Sequence, residues 1–365
     1  MTAVTDVEAT VRQDSALLED DLRVFLGALT PPPGGSPYGT ALRHALYAPV
    51  ADALGSKAGQ PALPSAPGTP PLRPSLVFWA HRNYRGFPDE RGERGGDTDL
   101  ATVRRTAVAV RILLKAAVAL DDIQDGSTVR YGEPALHAVH GVPLALNTGS
   151  WLIASALRHA AEPAVVASLL ASVGDGFTGQ ACDLATRAAP TRAALPAASP
   201  EERVRFWESV AVLKTGTLFR MPLDAALAAL EVETGERDAL DEAMRRLGLA
   251  SQLFNDLTDV VPEVGGANVH EDFDGLSNRV FLELLDGASE ADGDRLKSFV
   301  LDHPRFEETI LSLSAEAVEL KRSAMESVHR VCRSERSARY FDLTIDRKGH
   351  LVDRLHDTLR RRYGA

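Results

Sequence analysis

Apolar residues recur at three- and four-residue spacing over residues 101–120, 143–158, 164–184, 203–230, 238–261 and 307–332. That period belongs to helices that bury one face. An earlier helical pattern runs from Ser15 to Leu29 and stops at Pro31-Pro32-Pro33-Gly34-Gly35, and a shorter one fits Tyr38 to Leu54. Residues 1–14 are polar and are expected to be loose. Ser56 to Pro71 is rich in Pro, Gly, Ala and Ser and reads as a flexible insertion. A second Ala/Pro-rich stretch, Ala188 to Ala198, reads as a loop. It leads into Ser199-Pro200-Glu201-Glu202, which predicts a helix start with Ser as cap, Pro first and Glu third. No run alternates with period two, and no repeat occurs. The pattern predicts an all-α fold, a large helical bundle. It divides into an irregular N-terminal region, residues 1–72, and one helical domain, residues 73–365.

Composition narrows the partners. The chain has 365 residues, 44% hydrophobic and 25% charged, which is ample for a core. A formal net charge of -11 argues against nucleic acid. It leaves an anionic substrate open, because a bound cation reverses the local sign. The two cysteines, Cys182 and Cys332, lack metal-ligand spacing, so a reducing cytoplasm is expected. The N-terminus lacks the basic start and apolar run of a secretory signal. No membrane span is expected, since the best apolar stretch is interrupted by Arg111 and Lys115.

Two acidic clusters stand in electrostatically poor places. Asp121-Asp122-Ile123-Gln124-Asp125 closes an apolar helix just before Gly126, with Asp121 and Asp125 on one face. Anions at the negative end of a helix are disfavoured by roughly 0.3–1 kcal/mol each, and these also repel one another. Asn255-Asp256-Leu257-Thr258-Asp259 likewise ends an apolar helix before Pro262. Asn255 and Asp259 share a face, with Glu263 next at that spacing. The clusters lie 134 residues apart, enough for their helices to face each other across a bundle. Oxygen-only ligands suit a hard cation. Magnesium takes few carboxylates and completes its shell with water and phosphate oxygens. The chemistry so implied is a pair of acidic walls holding magnesium against a diphosphate. The plainer alternative is two solvated helix ends.

The residues around these clusters resemble the trans-isoprenyl diphosphate synthases, or polyprenyl synthetases. DDIQDGSTVRYGEPALHAVHG is similar to that family's first aspartate-rich motif with its downstream Arg-Arg-Gly and His. GQACDLA (179–185), KTGTLF (214–219) and SQLFNDLTD (251–259) resemble its Gly-Gln-x-x-Asp-Leu, Lys-Thr-Gly and second aspartate-rich segments, in family order. The likeness is good over about residues 70–285. It implies antiparallel helices around a deep central cavity with the clusters at its mouth. It implies several Mg2+ ions held by Asp121, Asp122, Asp125, Asn255, Asp256, Asp259 and Glu263. It implies an allylic prenyl diphosphate bound through Arg73, Arg130 and Lys214, with Thr215, Gln180 and Gln252 lining the site. Ala116 and Ala117, a turn before Asp121, would floor the cavity and leave room for a long prenyl chain, or else serve close helix packing. Homodimers are common in the family.

The chain also departs from the family. The basic Gly-Gly-Lys-Arg-x-Arg-Pro segment reads Gly68-Thr69-Pro70-Pro71-Leu72-Arg73-Pro74, the upstream His is Leu114, and the second Arg is Tyr131. Each lost charge-assisted contact removes roughly 1.5–3 kcal/mol. The isopentenyl diphosphate site is therefore degraded unless Arg82, Arg85 or another base substitutes. Asn255, Asp259 and Glu263 partly resemble the metal motif of class I terpene cyclases, which often carry an Arg-Tyr pair about eighty residues later, and Arg339-Tyr340 follows Asn255 by 84 residues. Arg339 is thus a further diphosphate candidate. Trp151, Phe177, Trp207, Phe219 and Phe254 could line a cation-stabilising cavity or belong to the core. Prenyl transfer to a second substrate is the expected function. A terpene cyclase or diphosphate lyase is the alternative, and a non-catalytic partner subunit is disfavoured by the retained Asp121, Asp122, Asp125, Arg130 and Lys214.

Overall fold

The structure is a computed structural model, and it describes residues 2–29, 35–55, 72–90, 97–130, 132–261, 276–286 and 293–364. Among these the chain is almost wholly helical, as the apolar period predicts. The helices are α1 (Thr2–Ala28), α2 (Pro37–Leu42), α3 (Ala48–Gly55), α4 (Leu72–Arg85), α5 (Asp97–Asp125), α6 (Leu136–His140), α7 (Val142–Ala160) and α8 (Pro163–Ala185). There follow α9 (Ala189–Ala197), α10 (Pro200–Ala211), α11 (Thr217–Ala229), α12 (Thr234–Val260), α13 (Arg279–Leu284), α14 (Gly293–Leu301), α15 (Phe306–Val331) and α16 (Glu335–Tyr363). Two π turns, Arg43–Tyr47 and Val212–Gly216, interrupt the helices. The only strands among the described residues are β1 (Val129–Arg130) and β2 (Glu133–Pro134), an antiparallel hairpin. No described helix is long and apolar enough to cross a membrane. The insertion Ser56–Pro71, Tyr131 and Glu263 lie outside the described residues.

The chain forms two compact units. One comprises Met1–Leu170, Met221–Thr234 and Cys332–Thr344. Within it α1 and α4 pack on α5, and α7 runs along α5. Of residues 1–14, expected to be loose, the described residues 2–14 open α1. Val7, Val11 and Leu18 are buried at helical spacing, and Asp14 is buried beside them. Asp14 accepts from Arg82 Nε at 3.0 Å and pairs with its Nη2, and Tyr340 Oη donates to Asp14 at 3.1 Å. Trp79 donates from Nε1 to the carbonyl of Ser337 at 3.0 Å and stacks against Phe341.

The other unit comprises Ala171–Arg220, Gly235–Val331 and Ile345–Ala365. Its core joins Trp207, Leu253, Leu257, Phe281, Leu284 and Ile310. Ser199 caps α10 as predicted: its side chain accepts from the Glu202 N–H, and the Glu202 carboxylate accepts from the Ser199 N–H. The stretch Ala188–Ala198, expected to be a loop, is α9. Pro190 sits in its first turn, where the missing N–H has no intrahelical partner to lose, and Leu195 anchors it in the core.

Candidate active site

The first acidic cluster forms the last turn of α5. Gly126 ends the helix with φ +72°, a left-handed conformation that suits glycine, and the Ser127 N–H returns to the Asp122 carbonyl at 2.9 Å. Gly132, at φ +79°, closes the hairpin and brings Arg130 back over the helix end. Arg130 donates to Asp121 Oδ2 at 2.7 Å and to Asp122 Oδ1 at 2.5 Å. Burial opposes the Arg130 charge, but the two carboxylates outweigh it and hold the guanidinium firmly protonated. Burial also pushes the Asp122 carboxyl upward, countered in part by Arg130. Asp122 is 2% exposed, whereas the Asp121 side chain retains 24%. Gly149 of α7 lets that helix press onto Leu120, because a Cβ there would lie 2.8 Å from the Leu120 side chain. Ala116 is fully buried, while Ala117 is exposed, so only Ala117 presents its methyl to open space.

Upstream in α5, Arg111 and Lys115 are buried, roughly three and two turns before Asp121. Burial, reinforced by Arg111, lowers the Lys115 ammonium to about 7 against the opposing pull of Glu133 and Glu19. A lysine whose pKa falls on folding is penalised while charged. The penalty is complete below about pH 7 and fades as pH rises toward the unfolded value of about 10.4. Lys115→Met is therefore expected to raise the urea midpoint clearly at pH 6 and only slightly near pH 10, read from unfolding curves of the two proteins.

The second set of candidates belongs to the other unit. The apolar stretch 203–230, expected as one helix, is broken by the π turn at Val212–Gly216, which holds Lys214, Thr215 and Gly216. Such turns recur at functional sites because they re-aim side chains. Tight backbone crossings hold this one. A Cβ on Gly179 of α8 would overlap the Lys214 nitrogen and lie 2.7 Å from the Leu213 carbonyl carbon. A Cβ on Gly248 of α12 would overlap Gly216 Cα. Lys214 Nζ meets Asp183 Oδ2 at 2.5 Å. Thr215 Oγ1 donates to Gln252 Oε1 at 2.5 Å, and Gln252 Nε2 donates to Asp256 Oδ1 at 2.7 Å.

Asp256, expected among the metal ligands, is buried and hydrogen-bonded at both oxygens. It is 2% exposed, and its other oxygen accepts from Trp207 Nε1 at 2.7 Å and the Arg279 N–H at 2.8 Å. Burial pushes its carboxyl up to about 7, resisted by those donors and by Gln252. Asn255 is exposed and Asp259 half-buried, so these two keep open faces. Asn278 caps α13 and donates to the Asp256 carbonyl at 3.0 Å. Gln180 is buried, and its Nε2 lacks a hydrogen-bond partner.

Other candidates fall elsewhere. Arg73 lies half-buried in the first turn of α4. Arg339 is 45% exposed and lies 3.6 Å from Glu8, its partner being on α1 and not at either cluster. Arg82 is buried on Asp14, whereas Arg85 is 39% exposed and meets Asp99 at 2.7 Å and the Leu230 carbonyl at 2.8 Å. Trp207 and Phe219 are core residues, whereas Phe177 is 47% exposed. Among the described residues no three acidic, His or Cys side chains are preassembled around a metal position. The donor chemistry still fits magnesium: all-oxygen side chains, paired four apart on one helical face. The partners Asp183, Asn278 and Arg279 escaped the sequence reading, and Trp207, read there as a cavity or core aromatic, was not foreseen as a donor to Asp256. Only Asp183, inside a segment already singled out, carried a signal.

The sequence profile described as polyprenyl synthetase matches residues 65–314. A prenyl transferase, paxC, of Penicillium paxilli is 29% identical over 184 residues, covering 50% of this chain and 55% of that protein. A short chain isoprenyl diphosphate synthase of Methanothermobacter thermautotrophicus is 28% identical over 71% of this chain and 75% of its own. The chain thus spans about half of the first relative and three quarters of the second. A geranylgeranyl pyrophosphate synthetase structure from Pyrococcus horikoshii OT3 superimposes with a TM-score of 0.62 at 19% identity, covering 97% of this chain and 98% of that one. The shared fold is that helical class.

Proposed function

Because the chain belongs to the polyprenyl synthetase family, we propose that it ionises an allylic prenyl diphosphate and transfers the prenyl group to an acceptor. The observation that carries this reading is Arg130 held between Asp121 and Asp122 at the open end of α5. A guanidinium between one buried and one partly exposed carboxylate is local machinery that suits a phosphate with its counter-ion. Asp121 and Asp125 would hold magnesium in one unit, and Asn255 and Asp259 in the other, with Glu263 following in sequence. When bound, magnesium supplies positive charge to the leaving diphosphate. Arg130 in its unit, and Lys214 in the other, are each a cation that would donate to phosphate oxygens while keeping a carboxylate partner. The allylic carbon–oxygen bond breaks, its electron pair leaves on the diphosphate, and the allylic cation alkylates an electron-rich carbon of the acceptor, which then loses a proton. The open Ala117 methyl fits an extended prenyl chain.

The acceptor is not expected to be bound through a diphosphate of its own. Leu114 occupies a position where the family resemblance calls for His, Pro70 one where it calls for Lys, and Arg82 is buried on Asp14. The exposed carboxamide of Asn255 favours a second reading, cyclisation of the same cation without a second substrate. Purified protein with magnesium and geranyl, farnesyl or geranylgeranyl diphosphate, each with and without isopentenyl diphosphate, tests these readings. Inorganic pyrophosphate released in step with a prenylated product is the expected result. Hydrocarbon or alcohol from one substrate alone selects cyclisation. Longer diphosphates formed only with isopentenyl diphosphate would show a rebuilt second site. Intact substrate in every mixture, with no diphosphate released, removes the ionisation reading.

A further inference from the structure

We propose that Asp256 is a positioning residue, not a metal ligand, and that it acts through Gln252 to fix the direction of the Thr215 hydroxyl. The inference deepens the ionisation reading and rests on it for its chemical meaning. Its geometry stands alone. Asp256 is buried, and three N–H groups converge on its carboxylate: Trp207 Nε1 and the Arg279 backbone on Oδ2, Gln252 Nε2 on Oδ1. Indole and backbone N–H can only donate, so they require an acceptor at Oδ2. In its ionised form the carboxylate accepts at both oxygens, and the relay is that of the ionised form. The Gln252 amide must therefore turn its NH2 toward Asp256 and its oxygen toward Thr215. That oxygen accepts only, so the Thr215 hydroxyl must donate to it, across 2.5 Å.

The outcome is a hydroxyl whose rotor is set by a carboxylate two bonds of a relay away. Thr215 keeps its proton on Gln252 and directs oxygen lone pairs away from it. Lone pairs are the correct end of the dipole for a carbon that becomes positive as diphosphate leaves. A dipole already turned toward developing charge avoids reorganisation when the bond breaks. Trp207 is itself fixed, with the Arg279 guanidinium 5.3 Å above its ring and Arg279 paired with Glu283. The relay is thus anchored in the core of its unit at the far end. The residues left to a metal in the described part of this cluster are the exposed Asn255 and the half-buried Asp259, whose Oδ2 lies 3.4 Å from Asn278 Nδ2.

Asp256→Asn tests the assignment. Its oxygen must stay on Trp207 and Arg279, so its NH2 faces Gln252. The Gln252 amide then flips, and Thr215 becomes an acceptor with its proton turned outward. Turnover is expected to fall on the order of 100-fold, the scale of one misdirected electrostatic contact. The KM and the magnesium midpoint should stay within about two-fold, whereas Asp259→Asn moves the magnesium midpoint. In a Thr215→Val background, Asp256→Asn should add nothing, because no hydroxyl remains to turn. Gln252→Leu carries the same test from the middle of the relay if the Asp256 variant does not fold. Losses that multiply across Asp256 and Thr215, or a magnesium midpoint displaced by Asp256→Asn, would overturn the proposal. A readout independent of turnover is the Trp207 indole proton in NMR, assigned with Trp207→Phe. It should shift in Asp256→Asn and hold still when magnesium and inorganic pyrophosphate saturate the native protein. Movement with magnesium would make Asp256 a ligand after all. If the native protein ionised no prenyl diphosphate, the ionisation reading would fall while this signal still decided the place of Asp256.

Discussion

Asp121→Ala is expected to lower ionisation of an allylic prenyl diphosphate by about 10³-fold or more while leaving thermal unfolding nearly unchanged. The two halves of that expectation come from the same geometry. Asp121 keeps 24% of its side chain exposed at the negative end of α5, beside Asp122 and within a turn of Asp125. Removing it relieves like-charge repulsion and an unfavourable helix-end anion, roughly 0.3–1 kcal/mol in favour of the fold. It also removes one Arg130 bond, but Asp122 keeps the other at 2.5 Å. The stability terms nearly cancel, and the loss of a metal-facing carboxylate does not. Initial rates with magnesium, beside a melting curve, separate them. Asp122→Ala is the contrast: that carboxylate is buried under Arg130, so its loss should lower stability and activity together. An Asp121→Ala protein with native turnover would remove the first acidic cluster from the chemistry.

Much of this was readable from the chain. The clusters advertise themselves because carboxylates at a helix C-terminus are locally unfavourable, and an unfavourable local choice marks a functional site. The α10 cap was readable because all of its parts lie within four residues, Ser199 to Glu202. What escaped depends on contacts distant in sequence. The π turn at Val212–Gly216 is held by Gly179 and Gly248, tens of residues to either side, and nothing within 203–230 announces it. Asp256 looks like its neighbours in the motif. Only its partners, Trp207 from α10 and Arg279 from α13, distinguish a core acceptor from a metal ligand. Periodicity identifies which face of α12 is buried, but a cluster that wraps the helix spans both faces. α1 was read short for a related reason. Its first turns are polar by composition, yet Val7 and Val11 belong to the buried stripe of Leu18.

The same first helix gives the largest stability effect. Arg82→Ala is expected to cost about 3–5 kcal/mol, because it leaves the Asp14 carboxylate buried with only the Tyr340 hydroxyl as donor. Arg82 and Asp14 are 4% and 1% exposed, so solvent cannot take over from the missing partner. Asp14→Ala should cost a similar amount, by stranding the guanidinium. Asp14→Leu combined with Arg82→Met should cost much less than the two singles added, since neither charge is then buried. Urea unfolding of the four proteins closes the cycle, and additive costs would mean that the pair is not coupled. Steady-state kinetics on the double variant carries the argument into function. Arg82 was one of the bases that could have rebuilt a second diphosphate site. If it serves only α1 and α4, the double variant keeps the native KM for every diphosphate substrate despite its altered stability. A KM that rises for one diphosphate alone would show Arg82 exchanging Asp14 for phosphate, and would restore a diphosphate-bearing acceptor to the reaction.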